Sequence, residues 1–319
     1  MPMDSHLQNA ARIPVRANMV LAALFSVINV GVVLALPLWL LPLDAAWGWL
    51  VLLAVLVTPA FWALTHEAVH GVFHPAQSVN NAMGRFLAVQ FGAPFRALRL
   101  GHLVHHKVSR TVMDRSEAYV PGQERWFSRA AHYYFILIIG LYLIELSALV
   151  LCWAPKRHLE SLVRHLFRPR GEGSPDVRDW AVKQLVAEGR YWELRTDSVL
   201  IAGFYGVGFW LYGADWPLLL ALIAGRGFLV SFLDNVYHYA TPLDQVRYSY
   251  NLALPGWASK LILHFNYHRV HHRFPNVPWR GLPAVHAAKD GAFELGFARA
   301  ALRQLKGPIR IERLSQAAT

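Results

Sequence analysis

Three short clusters of histidine stand out as candidate metal ligands. They read HEAVH, HLVHH and HRVHH, and they contain His66, His70, His102, His105, His106, His268, His271 and His272. Residues three or four apart lie on one face of a helix, about one turn apart, so each cluster can direct its ring nitrogens towards a common point. The 16 histidines among 319 residues would give only about 0.04 copies of HxxHH per chain by chance. The two copies present therefore predict a metal site.

The number and type of these ligands favour two metal ions. Imidazole suits iron, copper, zinc and nickel, whereas a structural zinc ion takes four ligands and usually recruits thiolates. The single cysteine, Cys152, lies inside an apolar run. One cysteine excludes a disulfide framework, an iron–sulfur cluster and a zinc ribbon built within the chain.

The composition indicates a polytopic membrane protein. Apolar residues make up 55% of the chain, and its mean hydropathy is +0.28, which is more apolar than an ordinary soluble domain. The net charge of +11 comes from basic residues that flank the apolar segments, as in cytoplasmic loops. We therefore expect a membrane and no nucleic acid as partner. Because the polar N-terminus lacks a secretory signal, the first apolar segment should remain as an anchor.

Four segments are long enough to cross the bilayer as helices. They are residues 19–41, 46–64, 198–212 and 216–238. Each pair is joined by a tight turn that carries no lysine or arginine, so both turns should face away from the cytoplasm.

A fifth apolar segment, residues 132–153, is predicted to be re-entrant or interfacial. One metal centre requires all three histidine clusters on the same side of the membrane, so an even number of crossings must separate His106 from His268. The second pair of spans already supplies two crossings. A third would also place the basic stretch from Lys156 to Arg195 outside.

The sequence therefore predicts an all-α fold. Residues 1–319 should form one integral membrane helical domain, with about four transmembrane helices and a cytoplasmic helical cap that holds a di-metal site. Both termini and the active site should be cytoplasmic. The many arginines and alanines are typical of a GC-rich bacterial genome, so we expect a bacterial inner membrane.

The order and sequences of the three clusters resemble those of the membrane fatty acid desaturase superfamily, which includes carotenoid ketolases and hydroxylases. HEAVHG lies near the end of the second span, GHLVHHK follows about thirty residues later, and NYHRVHHRFPNVPWRGLP lies near the C-terminus. The third cluster reproduces the family pattern at Tyr267, Pro275, Pro278, Leu282 and Pro283. The similarity in order and spacing covers most of the chain.

The resemblance implies two iron ions (Fe²⁺/Fe³⁺) and O2 as co-substrate, acting on an unactivated C–H bond of a lipid. It also implies a further ligand at the cytoplasmic end of the last span, where His238 stands. Family members place a polar residue one turn before this histidine, a position matched by Asp234 or Asn235. Redox-active iron suits this chemistry, whereas zinc cannot supply electrons.

Other polar residues are candidates for contacts with the ligands. Glu67 and Asp114 could hydrogen-bond ligand imidazoles and fix their tautomers. His74 continues the helical face of the first cluster. Arg226 lies in the middle of a span, where an intramembrane charge suggests a function, and it could pair with Asp234 or extend towards the interface.

Fatty acyl desaturation, which makes a double bond in a lipid acyl chain, is the first functional hypothesis. The chain has no haem domain or iron–sulfur centre of its own, so an external donor, such as ferredoxin or a cytochrome with its reductase, should deliver the electrons. Lipid or carotenoid hydroxylation or ketolation by the same di-iron site is the alternative. A non-redox zinc hydrolase or metal transporter is a third hypothesis, although transporter sites usually lie at mid-bilayer.

Overall fold

The computed structural model describes residues 10–170, 175–187, 189–243, 245, 248–289 and 291–315. The chain is mostly helical. The first half contains α1 Val15–Val30, α2 Leu50–Leu56, α3 Thr58–His70, α4 Gln77–Phe91, α5 Phe95–Val108, α6 Trp126–Phe135 and α7 Leu141–Leu151. The second half contains α8 Lys156–Leu166, α9 Arg178–Leu185, α10 Arg190–Tyr212, α11 Trp216–Val236, α12 Gly256–Leu261, α13 His268–Arg273, α14 Leu282–Lys289, α15 Phe297–Gln304 and α16 Ile311–Ser315.

Shorter elements connect or extend these helices. Two π-helical stretches, Gly31–Leu40 and Ile136–Gly140, continue α1 and join α6 to α7, and 3-10 turns cover Ala45–Trp49, Gly213–Asp215 and Trp279–Gly281. Among the described residues the strands form two parallel two-residue pairs, β1 Ala118–Tyr119 with β4 Ile309–Arg310 and β2 Leu252–Ala253 with β3 Leu295–Gly296. The predicted all-α fold is thus confirmed, because β pairing among the described residues is limited to these short pairs and two isolated bridges.

Long apolar helices form the membrane part of the fold. Among the described residues, Val15–Leu40, Trp126–Leu151 and Arg190–Val236 are long and apolar enough to cross a membrane, and the bent pair Ala45–Leu56 and Thr58–His70 would be a fourth span. The bend of 42° lies at Val57, just before Pro59, which cannot donate a backbone hydrogen bond inside a helix. The second span therefore runs beyond the predicted residue 64 and carries the first histidine cluster on its last turns.

The stretch Arg190–Val236 is a hairpin of two helices, as predicted. Gly208 and Leu219 are 11 residues apart (219 − 208), or about 16 Å in a straight helix. A Cβ at Gly208 would nevertheless lie 3.1 Å from the Leu219 side chain. The chain reverses at Gly213, whose φ is +52°, so α10 begins and α11 ends on the same side of the molecule.

The helical stretch Trp126–Leu151 lies across this hairpin. Near its start, Asn235 at the end of α11 donates to the Tyr133 hydroxyl over 3.1 Å. At its other end, the Cys152 Sγ lies 3.2 Å from the Ser198 Oγ in the early turns of α10. Both ends thus lie towards the same end of the hairpin. This arrangement supports an interfacial or re-entrant course, which stays a prediction because the stretch is also long enough to span.

Candidate metal centre

Nine histidines from four parts of the chain come together in two groups. The first group consists of His66, His70, His102, His106 and His271. The second consists of His105, His238, His268 and His272. Within each group the ring nitrogens lie within 4.8 Å of one another. The structure therefore brings together all eight cluster histidines and His238.

The division between the groups follows from helix geometry. Successive residues of a helix point about 100° apart, whereas residues four apart point in nearly the same direction. On α5, His102 and His106 therefore face the first group while His105 faces the second. On α13 the first group receives His271 and the second receives the pair His268 and His272. Because two helices serve both groups, the groups are adjacent.

The Nε2 atoms converge at the distances expected around a metal ion. His102 Nε2 lies 2.8 Å from His66 Nε2 and 2.9 Å from His106 Nε2, which is 3.0 Å from His271 Nε2. With metal–nitrogen bonds of about 2.1 Å, ligand nitrogens lie about 3.0–3.4 Å apart in octahedral or tetrahedral geometry. The buried Nε2 of His70 has no hydrogen-bond partner among the described residues. The residues of the first group thus fit a metal ion.

The second group shows the same convergence. His268 Nε2 lies 3.1 Å from both His238 Nε2 and His272 Nε2. His272 Nε2 is also 3.3 Å from His105 Nε2. Four imidazoles surround one point, so the second group also fits a metal ion.

The protonation of these imidazoles suits metal binding. Burial, reinforced by neighbouring imidazoles, lowers the pKa of six histidines that lie outside the spans: His102, His106, His238, His268, His271 and His272. Each therefore remains neutral near pH 7, and the neutral ring is the form that coordinates a metal.

His105 differs because of Asp114. Burial alone would lower the pKa of His105, but the Asp114 carboxylate raises it to about 9 through its charge and its hydrogen bond. The Asp114 Oδ2 lies 2.7 Å from His105 Nδ1. A carboxylate at this nitrogen holds a proton there and leaves Nε2 directed towards the other histidines. Asp114 thus has the contact that the sequence suggested.

The other polar candidates have different contacts. Glu67 accepts a hydrogen bond from the Trp279 backbone N over 3.0 Å, so it holds the loop after α13. Asn235 donates to Tyr133 and Gln304. His74 lies outside both groups, and its Nδ1 accepts from the Ala76 backbone. Asp234 lines the cavity beside the metal centre.

Long-range contacts that the sequence did not reveal position the short helix α13. In the first turn of α13, Val270 N donates to Asn251 Oδ1. In the loop that follows, Trp279 Nε1 donates to Asn18 Oδ1 in the first span. Gly281 is required in this loop, because a Cβ there would lie 2.0 Å from the Ala10 carbonyl oxygen. The family-like PWRG sequence therefore packs the third cluster against the first span.

A buried ion pair holds the segment after His238. Arg110 and Glu117 lie 2.8 Å apart, and Arg110 also donates to the Thr241 carbonyl over 2.9 Å. Thr241 Oγ1 in turn donates to the His238 carbonyl. The sequence did not suggest this ion pair, because neither Arg110 nor Glu117 belongs to a motif.

Two adjoining cavities of about 390 and 330 Å³ open beside both histidine groups. The first reaches His105 and His238, and the second reaches His102 and His105. Their shared walls include Leu141 and Ile144 of α7 and Met113. A ligand in these cavities would lie against both groups.

The Glu145 carboxyl lines the second cavity. Its Oε2 is buried and has no hydrogen-bond partner among the described residues. The surrounding wall is largely apolar, with Trp62, Val230 and Phe167. This acid was not singled out from the sequence, since a single glutamate in an apolar helix belongs to no motif.

Comparisons with known proteins agree with this architecture. Residues 45–300 match the fatty acid desaturase family model. The chain is similar to an sn-1 acyl-lipid omega-3 desaturase (ferredoxin) from Synechocystis sp., with 25% identity over 236 residues. That similarity covers 68% of this chain and 61% of the Synechocystis protein. No solved structure matches the chain. Because the family match includes all three histidine clusters and the spans between them, the chain belongs to the fatty acid desaturase family.

Proposed function

We propose that the protein is a membrane-bound di-iron enzyme that uses O2 to introduce a double bond into a lipid acyl chain. The observation that carries the proposal is the pair of histidine groups, which share α5 and α13 and open onto one set of cavities. Two adjacent sites built only from imidazoles favour a redox metal over a structural zinc ion, for which four ligands suffice.

The nine histidines would hold the ions, five in the first group and four in the second. When bound, two iron ions supply the electron transfer needed to reduce O2 and oxidise a C–H bond. The overall reaction balances as CH2–CH2 + O2 + 2 e⁻ + 2 H⁺ → CH=CH + 2 H2O. Asp114 would orient His105, and Glu67 would keep the loop after α13 against the second span.

The second cavity supports a lipid as substrate. Pockets of about 300–1,000 Å³ lined mainly by apolar side chains suit small organic ligands. Leu141 and Ile144 of the long apolar stretch Trp126–Leu151 line both cavities, and the second cavity is mainly apolar, whereas polar and charged side chains predominate around the first. An acyl chain lying against this wall would reach His102 and His105, which belong to different groups.

The carboxyl of Glu145 favours hydroxylation or ketolation as a second candidate. A buried polar group is unfavourable unless it is hydrogen-bonded, and a saturated chain offers Glu145 no partner. A substrate or product that carries a hydroxyl or keto oxygen would provide one. This alternative uses the same histidines and the same cavities.

Product analysis with metal analysis tests the proposal. Purified protein should contain about two iron ions per chain. Lipids of a host that expresses it should contain a new unsaturated acyl chain, identified by gas chromatography and mass spectrometry. A host carrying the His102→Ala variant is the control. A new hydroxyl or keto lipid would select the alternative, whereas zinc in anaerobically purified protein without any new lipid would overturn both.

We propose that the histidines lie on the cytoplasmic face of a bacterial inner membrane, with four crossings. The termini, predicted to be cytoplasmic, include residues 1–9 and 316–319, which lie outside the described residues. In a Cys152→Ala background, Lys156→Cys should react with an impermeant maleimide only from the cytoplasmic side. Asp215→Cys in the hairpin turn is the matched control and should react only from outside. Reaction of Lys156→Cys from outside alone would show that Trp126–Leu151 crosses.

An external electron donor is part of the proposal. The name of the Synechocystis relative specifies ferredoxin, and the reaction needs two electrons. A ferredoxin, or a cytochrome with its reductase, would provide them one at a time.

A further inference from the structure

A basic groove lies on the cap, close to the second histidine group. It has a volume of about 610 Å³ and is lined by the side chains of Arg303, Lys306, Arg310 and Arg313. None of its lining residues is acidic. The four basic residues form no ion pair with a carboxylate among the described residues. This charge is therefore available to an acidic partner.

Three other arginines of the cap are paired with carboxylates. Arg164 pairs with Glu160 and Asp179, and Arg178 pairs with Asp176. Arg269 likewise pairs with Glu294. The groove, by contrast, brings together four basic side chains that no carboxylate neutralises among the described residues, and such a cluster raises the association rate of an oppositely charged partner.

The backbone fixes the groove in place. Tyr119 of β1 pairs with Arg310 of β4, and Ile309 N donates to the Glu117 carbonyl over 2.7 Å. The Tyr239 hydroxyl donates to the Gly307 carbonyl over 2.7 Å. The groove is therefore preformed, which reduces the entropy lost when a partner docks.

The groove includes residues that directly follow a histidine of the second group in the sequence. Tyr239 and Ala240 line it, and the preceding residue is His238, whose Nε2 is 3.1 Å from His268 Nε2. A short covalent path thus joins the groove to the imidazoles. A carrier docked here could pass an electron along this path.

We propose that this groove is the docking site of a small acidic one-electron carrier protein. The inference rests on the proposed function and adds the place where the electrons enter. Each docked carrier would be oxidised by one electron, so two docking events supply the two electrons of one turnover. The short path to His238 favours a protein carrier over an anionic lipid head group, because lipid binding alone would not require such a path.

Charge reversal in the groove tests the proposal. The double variant Lys306→Glu with Arg310→Glu changes two exposed side chains. With a plant-type ferredoxin, reduced by NADPH and its reductase, as the probe, we expect the KM for ferredoxin to rise about tenfold or more, because charged rim residues mainly govern association. The dependence of kcat/KM on ionic strength should also weaken. Iron content should equal that of the unmodified protein.

The matched control is Lys156→Glu with Arg157→Glu, which also reverses two exposed charges but lies on α8. Product formation driven by dithionite and methyl viologen should be the same in all three proteins. An equal KM for ferredoxin in the two variants would overturn the docking site. A loss of product formation that appears only in nanodiscs with anionic lipid, measured at saturating ferredoxin, would also overturn it, because such a loss would indicate a lipid site. If the unmodified protein forms no product with either donor, the proposed function itself fails.

Discussion

Replacing His238 with alanine is expected to reduce product formation by on the order of 100-fold or more. The second group would keep three imidazoles of its four, and loss of even an outer residue of a metal site commonly lowers affinity or activity about 10- to 100-fold. The iron content should fall from about two ions per chain to about one. Iron analysis and product yield on purified protein measure both effects.

Folding should survive this change. The main effect of the change is the loss of one imidazole from the second group, whose other three histidines stay on α5 and α13. His158→Ala is the control, because His158 is exposed and belongs to neither group. Full iron content and unchanged activity in His238→Ala would remove this residue from the metal centre, leaving the second group with three histidines.

The sequence predicted the histidine clusters because their spacing is a local property of a helix. Positions 102, 105 and 106 mark one face of α5, and that inference needs no tertiary information. Helix geometry already turns His105 away from His106, but the sequence could not predict how the nine histidines would be divided between the two groups. That division depends on where α3, α11 and α13 lie around α5, and it is therefore a property of the packed fold.

Contacts between distant segments were the least predictable part of the site. Glu67 was expected beside an imidazole, yet it accepts from Trp279, which lies 212 residues later in the chain. Asp114, the other candidate, does contact a histidine of the clusters, His105, which is only nine residues away. Local carboxylate–histidine contacts are thus accessible from sequence, whereas contacts that tie spans to the cap are not.

The expected role of Arg226 was wrong, for a physical reason. It neither pairs with Asp234 nor extends to the interface, but is completely buried. Its Nη1 donates to the carbonyl oxygens of Gln90 and Phe91 over 2.8 and 3.1 Å. These carbonyls end α4, and the last carbonyls of a helix have no partners within it. Arg226 therefore caps a helix that ends among the spans, where its positive charge also suits the negative end of the helix dipole.

The Arg226→Met variant is accordingly expected to be strongly destabilised. Asn29 Oδ1 accepts from Arg226 Nη2, and the Tyr205 hydroxyl accepts from Nη1, so the substitution removes hydrogen bonds to four buried groups. The two carbonyls keep tyrosine donors, but Asn29 Oδ1 loses its donor. Because a hydrogen bond from a charged group contributes about 1.5–3 kcal/mol, we expect a total loss of about 3 kcal/mol or more. Thermal unfolding in detergent, compared with the unmodified protein, measures it.

Two further variants separate this explanation from a pair with Asp234. Tyr142→Phe removes one hydroxyl that donates to the Phe91 carbonyl, and because Arg226 still donates there, the loss should be only about 1 kcal/mol. If Arg226 and Asp234 neutralised each other, changing them together to Gln and Asn should restore stability. We expect no such restoration, since the charged hydrogen bonds from Arg226 to Gln90, Phe91 and Asn29 would still be missing. A double variant as stable as the unmodified protein would contradict the capping role and restore the ion pair.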